Sequence, residues 1–234
     1  MPIKMLTLKS TAGSLVMSAT LLALMASTAM ATVTPTGMSA LGNAKQAIIV
    51  ESPSMASTRA TVSTFAISEG NWQSIRSGMS ARVGYGGMSE PTLRHEGDGT
   101  TPMGAYSLVY GFGSKPDPGM TGFKWRRMDP LSCWSGAPAT YNRWVELKPC
   151  LSNDESLWDS RNDAYRYAAV IDFNYANPIF GRGSGIFLHV MRPGSTAGCV
   201  SLAERDVVAI LRWTRPGVRI VIGTSASLAA LKTL

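Results

Sequence analysis

Cys199 is the residue in this sequence most able to do chemistry, and His189 stands ten positions before it. Between them runs Val190-Met-Arg-Pro-Gly-Ser-Thr-Ala-Gly198, a polar, turn-rich connection with a Pro-Gly pair. A cysteine with a histidine in reach is the combination from which a thiol nucleophile and its general base are made. Gly198, immediately before the sulfur, permits a tight turn that exposes it and aims backbone N–H groups at a developing oxyanion. The competing readings are a buried, inert cysteine and a core histidine satisfied by its neighbours.

The elements that must position this pair are legible around it. Ile186 to Val190 is an apolar, β-leaning run that carries His189. Ser201-Leu-Ala-Glu204 has the spacing of a capping box, so a helix is expected to open there, with Cys199 just ahead of its N-terminus. Ala203, Val207, Ile210 and Leu211 recur at helical spacing and predict an amphipathic helix over 203–213. Short strands are expected at 46–51, 60–67, 105–112, 165–173 and 218–222, with 71–83 as a strand pair joined by polar turns. Residues 225–234 are left as a tail. Many short strands, one good helix and no βαβ alternation argue a mostly β fold with minor α content.

The N-terminus has a different character. Lys4 and Lys9 precede the uncharged stretch from Ala12 to Met25, and Ala29-Met-Ala31 follows. That is the pattern of a Sec-type secretory signal peptide over 1–31, followed by a flexible leader over 32–45 and a globular domain over 46–224. Export would place the protein in the periplasm, at the cell wall or in the medium. Removing two lysines lowers the formal charge from +7 to +5 (7 − 2). A mildly basic chain suits an anionic polymer, and it lacks the dense basic run interleaved with aromatics that nucleic-acid binding calls for.

Three cysteines in an exported chain leave one over. Cys133 and Cys150 flank a Trp-, Pro- and Tyr-rich part of a long insertion, 113–160, in which Trp144 to Leu147 is the only clear strand. A bridge between the two would stabilise by about 3 kcal/mol and leave Cys199 as the free thiol. No metal or cofactor is called for. His95-Glu96 starts a zinc-type H-E-x-x-H run, but position 99 is glycine. The glycines at 181, 183 and 185 lack the Lys-Ser/Thr of a phosphate loop.

Ile186-Phe-Leu-His189 followed by Ser195-Thr-Ala-Gly-Cys199-Val resembles the active-site motif of L,D-transpeptidases of the YkuD type. Arg94-x-Glu96-Gly-Asp98-Gly-x-Thr101-Pro102-x-Gly104 is similar to the upstream loop of the same domain, and Tyr141-Asn142 and Gly183-Ser-Gly185 to features of one branch of it. The resemblance spans residues 45–223. Ala197 and Ser201 stand where better-known members carry a second histidine and an arginine, and the His-to-Cys spacing is shorter.

The resemblance implies a bent β-sandwich of mixed sheets with one helix after the catalytic cysteine. It implies Cys199 as nucleophile, His189 as general base and acid, the Val190 carbonyl as orienter of His189, and an oxyanion hole around Gly198. Arg192, then Arg94, are the candidates to hold the substrate carboxylate, with Thr196, Tyr141 and Asn142 as further substrate contacts. The implied partner is the peptidoglycan stem peptide, handled by a monomer, with carbapenem-type inhibitors acylating Cys199. Two other readings remain: an L,D-carboxypeptidase or amidase using the same dyad, and a non-catalytic wall-binding module.

Overall fold

The computed structural model describes residues 1–2, 33–158 and 163–231; the expected signal peptide lies almost wholly outside them. Fourteen strands follow one another: β1 (Gln46–Ser52), β2 (Arg59–Ser68), β3 (Asn71–Arg82), β4 (Met88–Ser89), β5 (Thr101–Pro102), β6 (Gly104–Gly113), β7 (Trp125–Arg127), β8 (Ser132–Ser135), β9 (Arg143–Glu146), β10 (Glu155–Ser156), β11 (Ala168–Ile171), β12 (Phe187–Val190), β13 (Val200–Leu202) and β14 (Arg219–Thr224). Among the described residues two α-helices, α1 (Glu204–Trp213) and α2 (Ser225–Ala230), join these strands.

The main sheet runs β11-β12-β13-β3-β2-β1-β14-β6-β7, and β6 pairs again with β11, so the sheet rolls back on itself. It is mixed: β1 runs parallel to β14 and β12 parallel to β13, while most other pairs are antiparallel. The expected bent, mixed β architecture is therefore what the chain adopts.

Period-two alternation sorts the side chains of this rolled sheet. Ile48, Val50, Val62, Leu188, Leu202 and Ile220 point into its interior, and α1 lays Val207, Ile210 and Leu211 onto the same cluster. The opposite face of β11 and β12 carries Ala168, Val170 and Phe187, which pack with Trp134, Leu157 and Tyr165. That second cluster sits beneath a small sheet of order β10-β8-β9. A third cluster joins Ala47, Ile49, Phe65 and Val221 to Leu228 of α2.

Several boundaries differ from expectation, each for a local reason. The stretch expected as a strand pair over 71–83 is one long strand, Asn71–Arg82, because Gly78, at φ +68°, absorbs the extra residues as irregularities in the β2–β3 register. Tyr165 lies in a 3₁₀ turn, Asp163–Arg166, and the strand begins only at Ala168. The long insertion contains β7, β8 and β10 besides β9, the strand expected at 144–147, and is tied by the Cys133–Cys150 disulfide. Part of the presumed leader is packed, with Met38 and Leu41 buried against β1. The presumed tail contains α2, whose Thr224 and Ser227 form a reciprocal cap.

The capping box at 201–204 does not form. Ser201 belongs to β13, α1 is preceded by Ala203 with no side-chain cap, and Glu204 instead pairs with Arg166. Cys199 therefore precedes a strand, not a helix N-terminus.

Candidate active site

The period of two that buries Leu188 and Val190 inside the rolled sheet turns Phe187 and His189 outward. In the parallel β12–β13 ladder Leu188 is level with Val200 and His189 with Ser201. Cys199, two residues before Ser201, thus shares the outward face with His189 and lies diagonally from it. His189 Nδ1 is 2.8 Å from the Val190 carbonyl oxygen. A carbonyl only accepts, so Nδ1 carries the proton and Nε2 keeps its lone pair. The Tyr165 ring meets the imidazole edge-on at 5.4 Å between centroids. Burial holds His189 down at about 4, against the lift from its bond to Val190, so the imidazole is neutral near pH 7.

The loop before Cys199 is fixed by its own hydroxyls. Thr196 Oγ1 accepts from the Gly198 N–H at 3.1 Å and donates to the Cys199 carbonyl at 2.7 Å. Thr101 Oγ1 donates to the same carbonyl at 3.3 Å. Gly198 has φ +142°, and a Cβ there would stand 2.9 Å from the Thr100 carbonyl oxygen, so no larger residue fits.

The Cys199 thiol donates to the Gly185 carbonyl at 3.2 Å and accepts from the Phe187 N–H at 3.3 Å. Burial first, then the Glu155 charge, push it up to about 12, with the Phe187 N–H and Arg94 pulling the other way. The resting pair is a neutral thiol and a neutral imidazole. The helix N-terminus expected just after Cys199, which would favour a thiolate, is absent because Val200–Leu202 is a strand.

The upstream loop braces this arrangement. Arg94 is buried, ion-paired with Asp98 and bonded to the Thr100 carbonyl and hydroxyl. Burial raises the Asp98 carboxyl, but the Thr100 and His95 N–H groups and the Arg94 charge outweigh it and hold the group below its usual range. Tyr141 donates to Glu96 and accepts from the Gly183 N–H at 3.0 Å, and burial lifts its hydroxyl to about 12.

Asn142, at φ +57°, uses its whole amide. Its oxygen accepts from Trp134 Nε1 and the Gly185 N–H, both at 2.9 Å, and its nitrogen donates to the carbonyls of Phe173 and Asn174.

His189 and Cys199 open into a cleft of about 730 Å³. Arg192, Arg94, Thr196 and Tyr141 also line it. Asn142 does not: it stands behind the wall, holding Gly185 and Trp134 in place. Arg192 is exposed and makes no ion pair among the described residues, whereas the Arg94 charge is already matched by Asp98. Sequence reasoning missed Glu155, Tyr165 and Ser201, all of which line the cleft. The disulfide-tied insertion was the available signal for Glu155, since its sheet forms one wall.

A rolled, mixed β-sheet that presents a Cys–His pair to a deep cleft defines a class of thiol-bearing domains. The sequence pattern of the L,D-transpeptidase catalytic domain family (YkuD) matches residues 71–222, and the chain belongs to that family. No curated protein matches the chain.

Among solved structures, an L,D-transpeptidase from Mycobacterium smegmatis is 12% identical, with a TM-score of 0.35 and coverage of 77% of this chain and 59% of that one. L,D-transpeptidase 1 of Mycobacterium tuberculosis is 16% identical, with a TM-score of 0.34 and coverage of 77% and 63%. The helical cell shape determining protein Pgp2 of Campylobacter jejuni is 13% identical, with a TM-score of 0.40 and coverage of 80% and 54%. The chain thus spans less than two thirds of the length of each.

Proposed function

We propose that this protein is an exported peptidoglycan L,D-transpeptidase that acts as a monomer through Cys199. The observation that carries the reading is the placement of His189 and Cys199 on one face of adjacent strands, with Nδ1 tied to Val190 and Nε2 free to take the thiol proton. Sγ leaves the Gly185 carbonyl and passes its proton to Nε2 as it attacks the carbonyl before the terminal D-alanine of a tetrapeptide stem. The Cys199 N–H meets the oxyanion, because the Gly198 N–H is engaged by Thr196. The C–N bond breaks, D-alanine leaves with the proton from His189, and a thioester remains. An amine of a second stem attacks the thioester carbonyl and gives its proton to His189, which returns it to sulfur as the C–S bond breaks. Arg192, open at the cleft, is suited to the donor's terminal carboxylate.

Incubating the full-length protein with disaccharide-tetrapeptide, followed by mass spectrometry, tests this. A Cys199 thioester and 3→3 linked dimers are expected, both lost in Cys199→Ala; trimmed monomer alone would indicate a hydrolase. Unchanged product from Cys199→Ala would remove the nucleophile assignment, and carbapenem-type inhibitors should add their mass to Cys199.

A further inference from the structure

The acyl-transfer scheme leaves one cleft group without a task. Glu155 projects from β10 into the cleft, across from the strand that carries His189. Its Oε1 accepts from the Tyr165 hydroxyl, and Tyr165 packs edge-on against His189. Its Oε2 stands 3.5 Å from where a Cβ on Gly185 would lie, and the Gly185 carbonyl is what holds the Cys199 thiol. Among the described residues no cation pairs with it, since Arg94 belongs to Asp98. Glu155 is exposed, so solvent and solutes reach it through the mouth of the cleft.

An anion so placed opposes the nucleophile, because it raises the energy of the Cys199 thiolate. A permanent partner would cancel that effect, and the described residues supply none. The partner that fits is a cation brought by substrate, and the acceptor in the reaction proposed above carries one as an ammonium. An ammonium arriving at Glu155 gives one proton to the carboxylate, which discharges it and leaves a neutral amine to attack the thioester carbonyl; the amine's second proton passes to His189 and on to sulfur as the C–S bond breaks. We propose that Glu155, oriented by Tyr165, binds the ammonium group of the acyl acceptor, an α-amino acid centre, and so favours amines over water as the resolving nucleophile. This inference rests on the transpeptidase reading of the same cleft.

The test titrates full-length Cys199→Ala protein with D-alanine, or with D-lactate, in which a hydroxyl replaces the ammonium, and follows amide shifts by NMR. Changing Glu155→Gln should weaken D-alanine by about tenfold and D-lactate by less than about twofold. Tyr165→Phe, which keeps the ring against His189, should weaken D-alanine by a few-fold and serves as a second variant should Glu155→Gln fold poorly. Equal D-alanine affinity with and without the carboxylate overturns the proposal, as does an equal loss for D-lactate or the absence of D-alanine binding to Cys199→Ala itself. Failure of the transpeptidase reading shows separately, as an unmutated chain that forms no thioester with tetrapeptide.

Discussion

At the scale of single residues, the decisive feature is that both members of the dyad rest uncharged. With the thiol near 12, alkylation of Cys199 by iodoacetamide should be slow at pH 7 and still rise close to tenfold per pH unit between about 9 and 10, where a free cysteine has levelled off. A plateau beginning near pH 8.5 would show that burial does not control the sulfur. His189 makes the complementary statement about stability. Its folded value, about 4, lies below the unfolded 6.5, so the unfolded chain binds the proton more readily. Its contribution is fully present above about pH 6.5 and is lost as pH falls towards 4, by about 3 kcal/mol. The difference in urea midpoint between the parent and His189→Gln should therefore shrink across that window. Cys199 and His189 were legible because their types are rare in this chain and their spacing crosses a Pro-Gly turn. The charge state was not, since it depends on burial by Tyr165 and on the charge of Glu155, which arrive from other segments.

At the scale of elements, the site depends on three pieces: the β12–β13 pair, the loop from Arg94 to Thr101, and the small sheet. The alternation Phe187-Leu-His189-Val190 could be read from sequence, and it does decide which way His189 points. The helix start could not, because Ser201 satisfies the capping pattern while its backbone is claimed by the ladder to β12 and β3. Tertiary pairing overrode a local signal. Asn142 illustrates the same limit, as nothing in Tyr141-Asn142 says that the amide serves four partners behind the cleft wall. Asn142→Ala removes those bonds and puts an alanine at positive φ, so it should destabilise by about 3–5 kcal/mol in urea titrations. Removing the disulfide with Cys133→Ser and Cys150→Ser should cost about 3 kcal/mol. It should also loosen the wall carrying Trp134 and Glu155, lowering activity while leaving the far side of the rolled sheet intact.

At the scale of the whole molecule, closure through β6 and β11 gives the main sheet a continuous interior, while the small sheet is attached over one outer face. Order of opening should follow that division. Hydrogen exchange should find the amides of β1, β2 and β14 the slowest, and those of β8 and β9 faster, with the gap widening once the disulfide is reduced. Uniform acceleration everywhere on reduction would mean that the two parts open together. The mostly β character, the helix after the cysteine and the order of the strands' apolar runs all came through in the sequence. The closure did not, because β6 and β11 are separated by the whole insertion and no local pattern marks their pairing.

The hydrogen bond from the Cys199 thiol to the Gly185 carbonyl bears on how long the protein stays usable. Peroxides attack thiolates, and the first product, a sulfenic acid, leads on to forms that no thiol restores. A sulfur held protonated and turned towards backbone is a poor target for such damage until something in the cleft draws it round. The burial that makes the idle nucleophile sluggish, together with this contact, would thus let the protein wait through oxidant exposure with its active thiol intact.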